Sequence, residues 1–86
     1  MNTFPLTIST PGGSQYVGPA ARLLLRGAEG DLAVMAGHVP FMTTVQPGPC
    51  RLYLPDGTVR EAACAGGLLT VGPEGTIVLL EHFSWM

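Results

Sequence analysis

An all-β fold, a two-sheet antiparallel β-sandwich of short strands, follows from three features of this 86-residue sequence. Turn signals recur along it: Pro11-Gly12-Gly13, Gly27 to Gly30, Gly37, Pro47-Gly48, Asp56-Gly57, Gly66-Gly67 and Pro73-Glu74-Gly75. Spacing near about 8–12 residues is the mark of a sandwich or barrel. Few gaps between these breakers hold a three-turn helix. The segments that fill them alternate apolar and polar residues, as half-buried strands do. Residues 1–86 form one domain, with no linker, repeat or low-complexity segment.

Phe4, Leu6 and Ile8 share one strand face, with Thr7 and Ser9 on the other. Leu23 and Leu25 face opposite to Arg22 and Arg26. Leu32 to Met35 is a short apolar strand between two glycine-marked turns, and Pro40 biases Val39 towards extended geometry. Cys50, Leu52 and Leu54 alternate with Arg51 and Tyr53, and Asp56-Gly57 turns that strand into Thr58–Cys64 as a hairpin. Gly66-Gly67 marks a bulge or a close strand approach. Ile77 to Leu80 is apolar on both faces, the pattern of a central strand or of one covered by a partner. Pro73-Glu74-Gly75 joins the last two strands.

Composition narrows the function classes. Hydrophobic residues make up 47%, but charged residues only 12%, about half the usual share of roughly 25%. A small domain this poor in charge is either simply adhesive or made to dock against partners. There is no lysine, which removes Schiff-base chemistry, a P-loop and the biotinyl or lipoyl carriers. A net charge of −2 leaves no electrostatic footprint for nucleic acid or anionic lipid. No apolar run approaches the roughly 20 residues of a membrane span, and the N-terminus lacks the basic start and apolar block of a signal peptide. Cys50 and Cys64 read as free, buried thiols of a cytoplasmic protein.

Candidate chemistry is sparse. His38 has only His82, Cys50 and Cys64 as possible metal partners, none at zinc-ligand spacing, and nothing around either cysteine resembles a nucleophile signature. A histidine on such a turn usually hydrogen-bonds its own loop. Glu29 and Asp31 would make a general acid/base pair, but acidic residues on a glycine turn are usually solvated. Gly12-Gly13 and Gly66-Gly67 open no helix N-terminus and so offer no phosphate cradle. No catalytic residue, cofactor or metal is expected. A free-standing ligand-binding sandwich would need a pocket lined by Phe4, Tyr16, Phe41, Tyr53, Phe83 or Trp85, which are scattered along the sequence. A small hydrolase lacks its constellation altogether.

The run Gly27-Ala28-Glu29-Gly30-Asp31-Leu32-Ala33-Val34-Met35-Ala36-Gly37-His38-Val39-Pro40-Phe41-Met42-Thr43 resembles the N-terminal domain of the epsilon subunit of F-type ATP synthases. Gln46-Pro47-Gly48 with Arg51, Ala65-Gly66-Gly67-Leu68-Leu69-Thr70-Val71, and Thr76 to Leu80 are similar to further segments of that family, so the likeness spans nearly the whole chain. The resemblance implies a sandwich usually described as ten strands in two five-stranded sheets. It implies a non-catalytic rotor subunit of the proton-translocating enzyme, peripheral on the cytoplasmic face of the bacterial plasma membrane and not inserted in it. Its partners would be the gamma subunit and the membrane c-ring. Carried over residue by residue, Thr10, His38 and Thr43 would face gamma, and Glu29 and Asp31 the ring. Three departures stand out. Ala36 replaces the usual proline and Thr70 the usual acid. The sequence also stops at Met86, where most relatives continue into a helical hairpin, so a subunit without the family's inhibitory helices is expected.

Far-ultraviolet circular dichroism checks the fold class. A helix content below about one-fifth is expected, against roughly 30–35% for ordinary domains.

Overall fold

The computed structural model describes residues 2–86. The strands are β1 (Phe4–Thr10), β2 (Gly13–Ala20), β3 (Arg22–Gly27), β4 (Gly30–Val34), β5 (Phe41–Val45), β6 (Gly48–Tyr53), β7 (Val59–Gly72) and β8 (Gly75–Trp85). No helix occurs among the described residues. The strands hydrogen-bond in the order β2-β1-β8-β7-β5-β3-β4, with β6 paired to β3 and β7. This continuous sheet doubles back on itself. The first layer holds β2, β1, the start of β8, the end of β7, and β5. The second holds the end of β8, the start of β7, β6, β3 and β4. Because β7 and β8, at 14 and 11 residues, belong to both layers, each layer has five strand segments.

The doubling-back is written in side-chain parity. On β7, Ala62 and Cys64 point into the core before the bend, and Leu69 and Val71 after it. On β8, Thr76, Val78 and Leu80 give way to Phe83 and Trp85. From β5 to β6 the switch runs from Val45 to Cys50 and Leu52. Three adjacent segments change face at one level, which is how strands pass from one sheet of a sandwich to the other. Gly66 takes φ +65° at that level, a conformation other residues adopt at a cost. At Gly67 the neighbouring strand crosses so closely that a Cβ would lie 1.8 Å from the Leu79 carbonyl oxygen.

Two features differ from the sequence pattern. Gly66-Gly67 does not end a strand. It creases one that continues from Val59 to Gly72, so of the two readings offered for this pair it is the close approach that applies. The segment 13–20, with Gly18 and Pro19, gave no alternation signal and is nevertheless strand β2. It lies at the sheet edge, with β1 as its sole neighbour, where a proline costs no ladder hydrogen bond. The pairings are antiparallel except one: β1 runs parallel to the start of β8.

Between the layers lies one apolar cluster, in which Leu6, Ile8, Leu23, Leu52, Leu69 and Val78 are fully buried. Tyr16, Phe83 and Trp85 pack against its margin, and the Arg60 guanidinium stacks 3.7 Å over the Trp85 ring.

Gly67→Ala is expected to cost more than about 2 kcal/mol, since its methyl meets backbone that has nowhere to move. Gly12→Ala, whose methyl would meet only Thr10 Oγ1 at 3.6 Å, is expected to stay within about 0.5 kcal/mol. Urea denaturation midpoints measure both.

Candidate interaction surfaces

The two outer faces differ in charge, all four arginines lying in the second layer. On the first layer, strand register lines up two rows across the sheet. One runs Val17, Thr7, Ile77, Thr70, Met42, and the other Ser14, Ser9, Leu79, Leu68, Thr44. Neither row contains a charged residue. Its apolar members stand well out of the core, Met42 at 65% and Leu79 at 52% exposed. An apolar band of this kind, set among Ser and Thr hydroxyls, is what an interface core looks like before its partner arrives.

All four arginines lie in the second layer, on β3, β6 and β7. Arg51 Nη2 binds Glu61 Oε1 at 3.1 Å, and the Arg22 guanidinium lies over the Tyr53 ring. Beside them β3 and β4 form a hairpin whose rung Gly27–Gly30 leaves Ala28 and Glu29 at the tip. Arg26 and Asp31 face each other across it, Nε to Oδ1 at 3.1 Å. Both side chains remain largely in solvent, so the pair adds little to stability. Glu29 is exposed and forms no ion pair among the described residues. Where β3 parts from β6, a cleft of about 320 Å³ opens between Leu24, Leu32, Ala33 and Pro49, with Leu25 and Cys50 lining it as well. No aromatic side chain lines it, so it is not the pocket a ligand-binding sandwich was expected to need.

The candidate residues named above do not form one cluster. Thr10 ends β1 near the crease, its Oγ1 accepting from Gln15 Nε2 at 3.1 Å, and borders a groove with Thr44, Leu68, Leu79 and the carboxylate-bearing Glu81. His38 sits at the opposite end of the layer, beside the turn at Pro73. Its N–H donates to the Met35 carbonyl at 3.1 Å and its Nδ1 to the Val39 carbonyl at 2.7 Å, so it does bond its own loop. The ring also tilts against Phe41. Thr43 lies midway on β5 but turns towards the β3–β4 hairpin, where its Oγ1 accepts from the Ala28 N–H at 3.1 Å. Met42 and Thr44, on either side of it, are the residues that face outward. Glu29 and Asp31 do share one hairpin. The outward apolar side chains were partly foreshadowed: Ile77 and Leu79 made their strand apolar on both faces, whereas Met42 and Leu68 gave no comparable signal.

Residues 3–86 match the family described as ATP synthase, Delta/Epsilon chain, beta-sandwich domain. The chain belongs to that family. The sodium-ion-specific ATP synthase epsilon chain of Acetobacterium woodii is 34% identical over 83 residues, covering 96% of this chain and 62% of that one. The ATP synthase epsilon chain of Acinetobacter baumannii is 40% identical over 68 residues, covering 79% of this chain and 49% of its own. The chain therefore spans between about half and three-fifths of these relatives. The same fold occurs in a chain of the Euglena gracilis mitochondrial ATP synthase, with TM-score 0.90 at 21% identity over 96% of this chain and 53% of that one. It occurs again in the central stalk and c-ring structure of the Tetrahymena thermophila enzyme, with TM-score 0.74 at 16% identity over 92% and 63%.

Within this delta/epsilon sandwich, Cys50 and Cys64 are diagonal neighbours on β6 and β7, opposite Ala62 and Gly48 respectively. Both are buried free thiols, and Cys64 Sγ contacts the Gly48 carbonyl at 3.8 Å. Hydrogen bonding to Cys64, together with burial, pushes the Cys50 thiol far above its ordinary range. The stability held by the neutral thiol is complete below the unfolded value of about 8.5, and it declines as pH rises beyond that. The urea midpoint is expected to fall between about pH 8 and 10, and Cys50→Ala should flatten the slope. An aromatic disulfide reagent should leave both thiols untouched in the native protein and titrate both in concentrated guanidinium.

Proposed function

We propose that this chain serves as the β-sandwich of an epsilon subunit in a proton-translocating F-type ATP synthase, a non-catalytic part of the central stalk. It couples the gamma subunit to the membrane c-ring, peripheral to the cytoplasmic face of the bacterial plasma membrane. The observation that carries this reading is the pair of uncharged rows on the outer face of the first layer, in a member of the delta/epsilon family. Gamma would cover that face, reaching Thr10 at the crease and His38 near the Pro73 turn, with Thr43 between them on the reverse side of β5. Covering the two rows strips water from apolar side chains and hydroxyls, without the cost of desolvating an ion.

The acidic hairpin is the element for the ring. Glu29 forms no ion pair among the described residues, and Asp31 keeps most of its side chain in solvent although Arg26 holds one oxygen. Such charges set register and encounter, at roughly 0–1 kcal/mol for each exposed pair, more than affinity. The work of the domain is mechanical. It transmits force by rigid packing and makes or breaks no covalent bond.

Co-expression with the cognate gamma subunit should yield a complex that elutes as one species in size-exclusion chromatography. Leu79→Asp should abolish co-elution while leaving the circular dichroism spectrum unchanged. Separate elution of the unmodified chain at micromolar concentration would falsify the gamma assignment. Asp31→Arg should lower ATP-driven proton pumping in the assembled enzyme, with a stability change within about 0.5 kcal/mol.

A further inference from the structure

We infer that Thr43 is a positioning residue: through its hydroxyl, β5 holds the tip of the acidic hairpin at a fixed place relative to the uncharged face. The value of such a brace to coupling rests on the rotor reading above, whereas the brace itself rests on geometry alone. The hairpin needs one. β4 is an edge strand whose neighbour is β3, and β3 meets β5 in a single rung, Gly27 to Val45. Beside that rung the Gln46 N–H donates to the Arg26 carbonyl at 2.8 Å, supporting the hairpin on its first-layer side. Beyond it the tip would swing on glycines at both ends, Gly27 and Gly30.

Thr43 fastens that tip. Its Oγ1 accepts the Ala28 N–H at 3.1 Å and donates to the Thr44 carbonyl at 3.2 Å. With one bond in and one out, the hydroxyl rotor is fixed and so is the amide it holds. Gly27 makes the approach possible. A Cβ there would stand 2.6 Å from Leu32 Cδ2 and 3.3 Å from Thr43 Cγ2. The two neighbours of Thr43 face the other way: Met42 and Thr44 lie in the uncharged rows, paired with Thr70 and Leu68. One short strand thus bears the docking face on one side and the tip of the acidic hairpin on the other. A displacement imposed on that face reaches Glu29 and Asp31 through five residues, without passing through the core.

Amide hydrogen exchange followed residue by residue on the 86-residue chain tests this. Thr43→Val keeps the shape and removes the acceptor. It should speed exchange at Ala28 and Glu29 about fivefold, as expected for one neutral hydrogen bond, while Leu52 and Leu69 in the core stay unchanged. Thr43→Ser restores an acceptor and should bring the tip back to the rate of the unmodified protein. In the assembled enzyme, proton pumping per ATP hydrolysed should fall with valine and recover with serine. Unchanged exchange at Ala28 in Thr43→Val, or acceleration spread evenly over the domain, overturns the brace. Faster exchange confined to the tip, with pumping undiminished, supports the brace and overturns instead the ring-facing reading of the hairpin.

Discussion

Everything in this domain hangs on the close crossing of β7 and β8 at Gly67, where the Leu79 carbonyl occupies the space any side chain would need. Two strands long enough to serve both layers must change face together there, or one half of each would present its core residues to water. The crease does this without ending a strand, so each long strand keeps its ladder almost throughout. The inter-sheet core therefore closes with backbone hydrogen bonds retained, and loose ends are confined to short turns. In so small a domain, which buries a modest share of its surface, that economy decides whether the fold is stable at all.

The crease also sorts the surface. Residues before and after it on β7 belong to different layers, so Glu61 joins the charged face and Leu68 the uncharged one. All the arginines fall on the second layer, where aromatic rings and carboxylates partner three of them and the Asp31 pair occupies the fourth. The two central rows of the first layer are left with threonine, serine, methionine and aliphatic side chains. A protein with few charges thus has one face that can be desolvated cheaply and one that stays wet. The asymmetry gives the molecule an orientation between partners, which a uniform distribution of the same residues would not.

Much of this was legible beforehand, and the exceptions are instructive. Alternation identified β1, β3 and β6 because each has one face in the core, and Asp56-Gly57 placed the β6–β7 hairpin. β2 was silent because an edge strand with Gly18 and Pro19 buries little and needs no period. Gly66-Gly67 looked like a break because sequence does not distinguish a glycine that turns a chain from one that lets another strand pass. Thr43 was grouped with outward candidates on the strength of family likeness. One residue's shift in strand parity sets its hydroxyl on the hairpin and puts Met42 and Thr44 outside.

By itself the sequence determined that the chain is β-structured, where most of its turns fall, which faces of β1, β3 and β6 meet the core, and, through motifs spread from Gly27 to Leu80, which family it belongs to. Those properties depend on local geometry and on period-2 burial, both of which are encoded within a few neighbouring residues. Only the tertiary structure decided that β1 pairs parallel with β8, that ten uncharged side chains from five segments align in two rows, and that Thr43 reaches the hairpin tip 15 residues away. Each of these is a register between segments distant in sequence. Register is fixed when the two layers close over a common core, a condition that no stretch of sequence states alone.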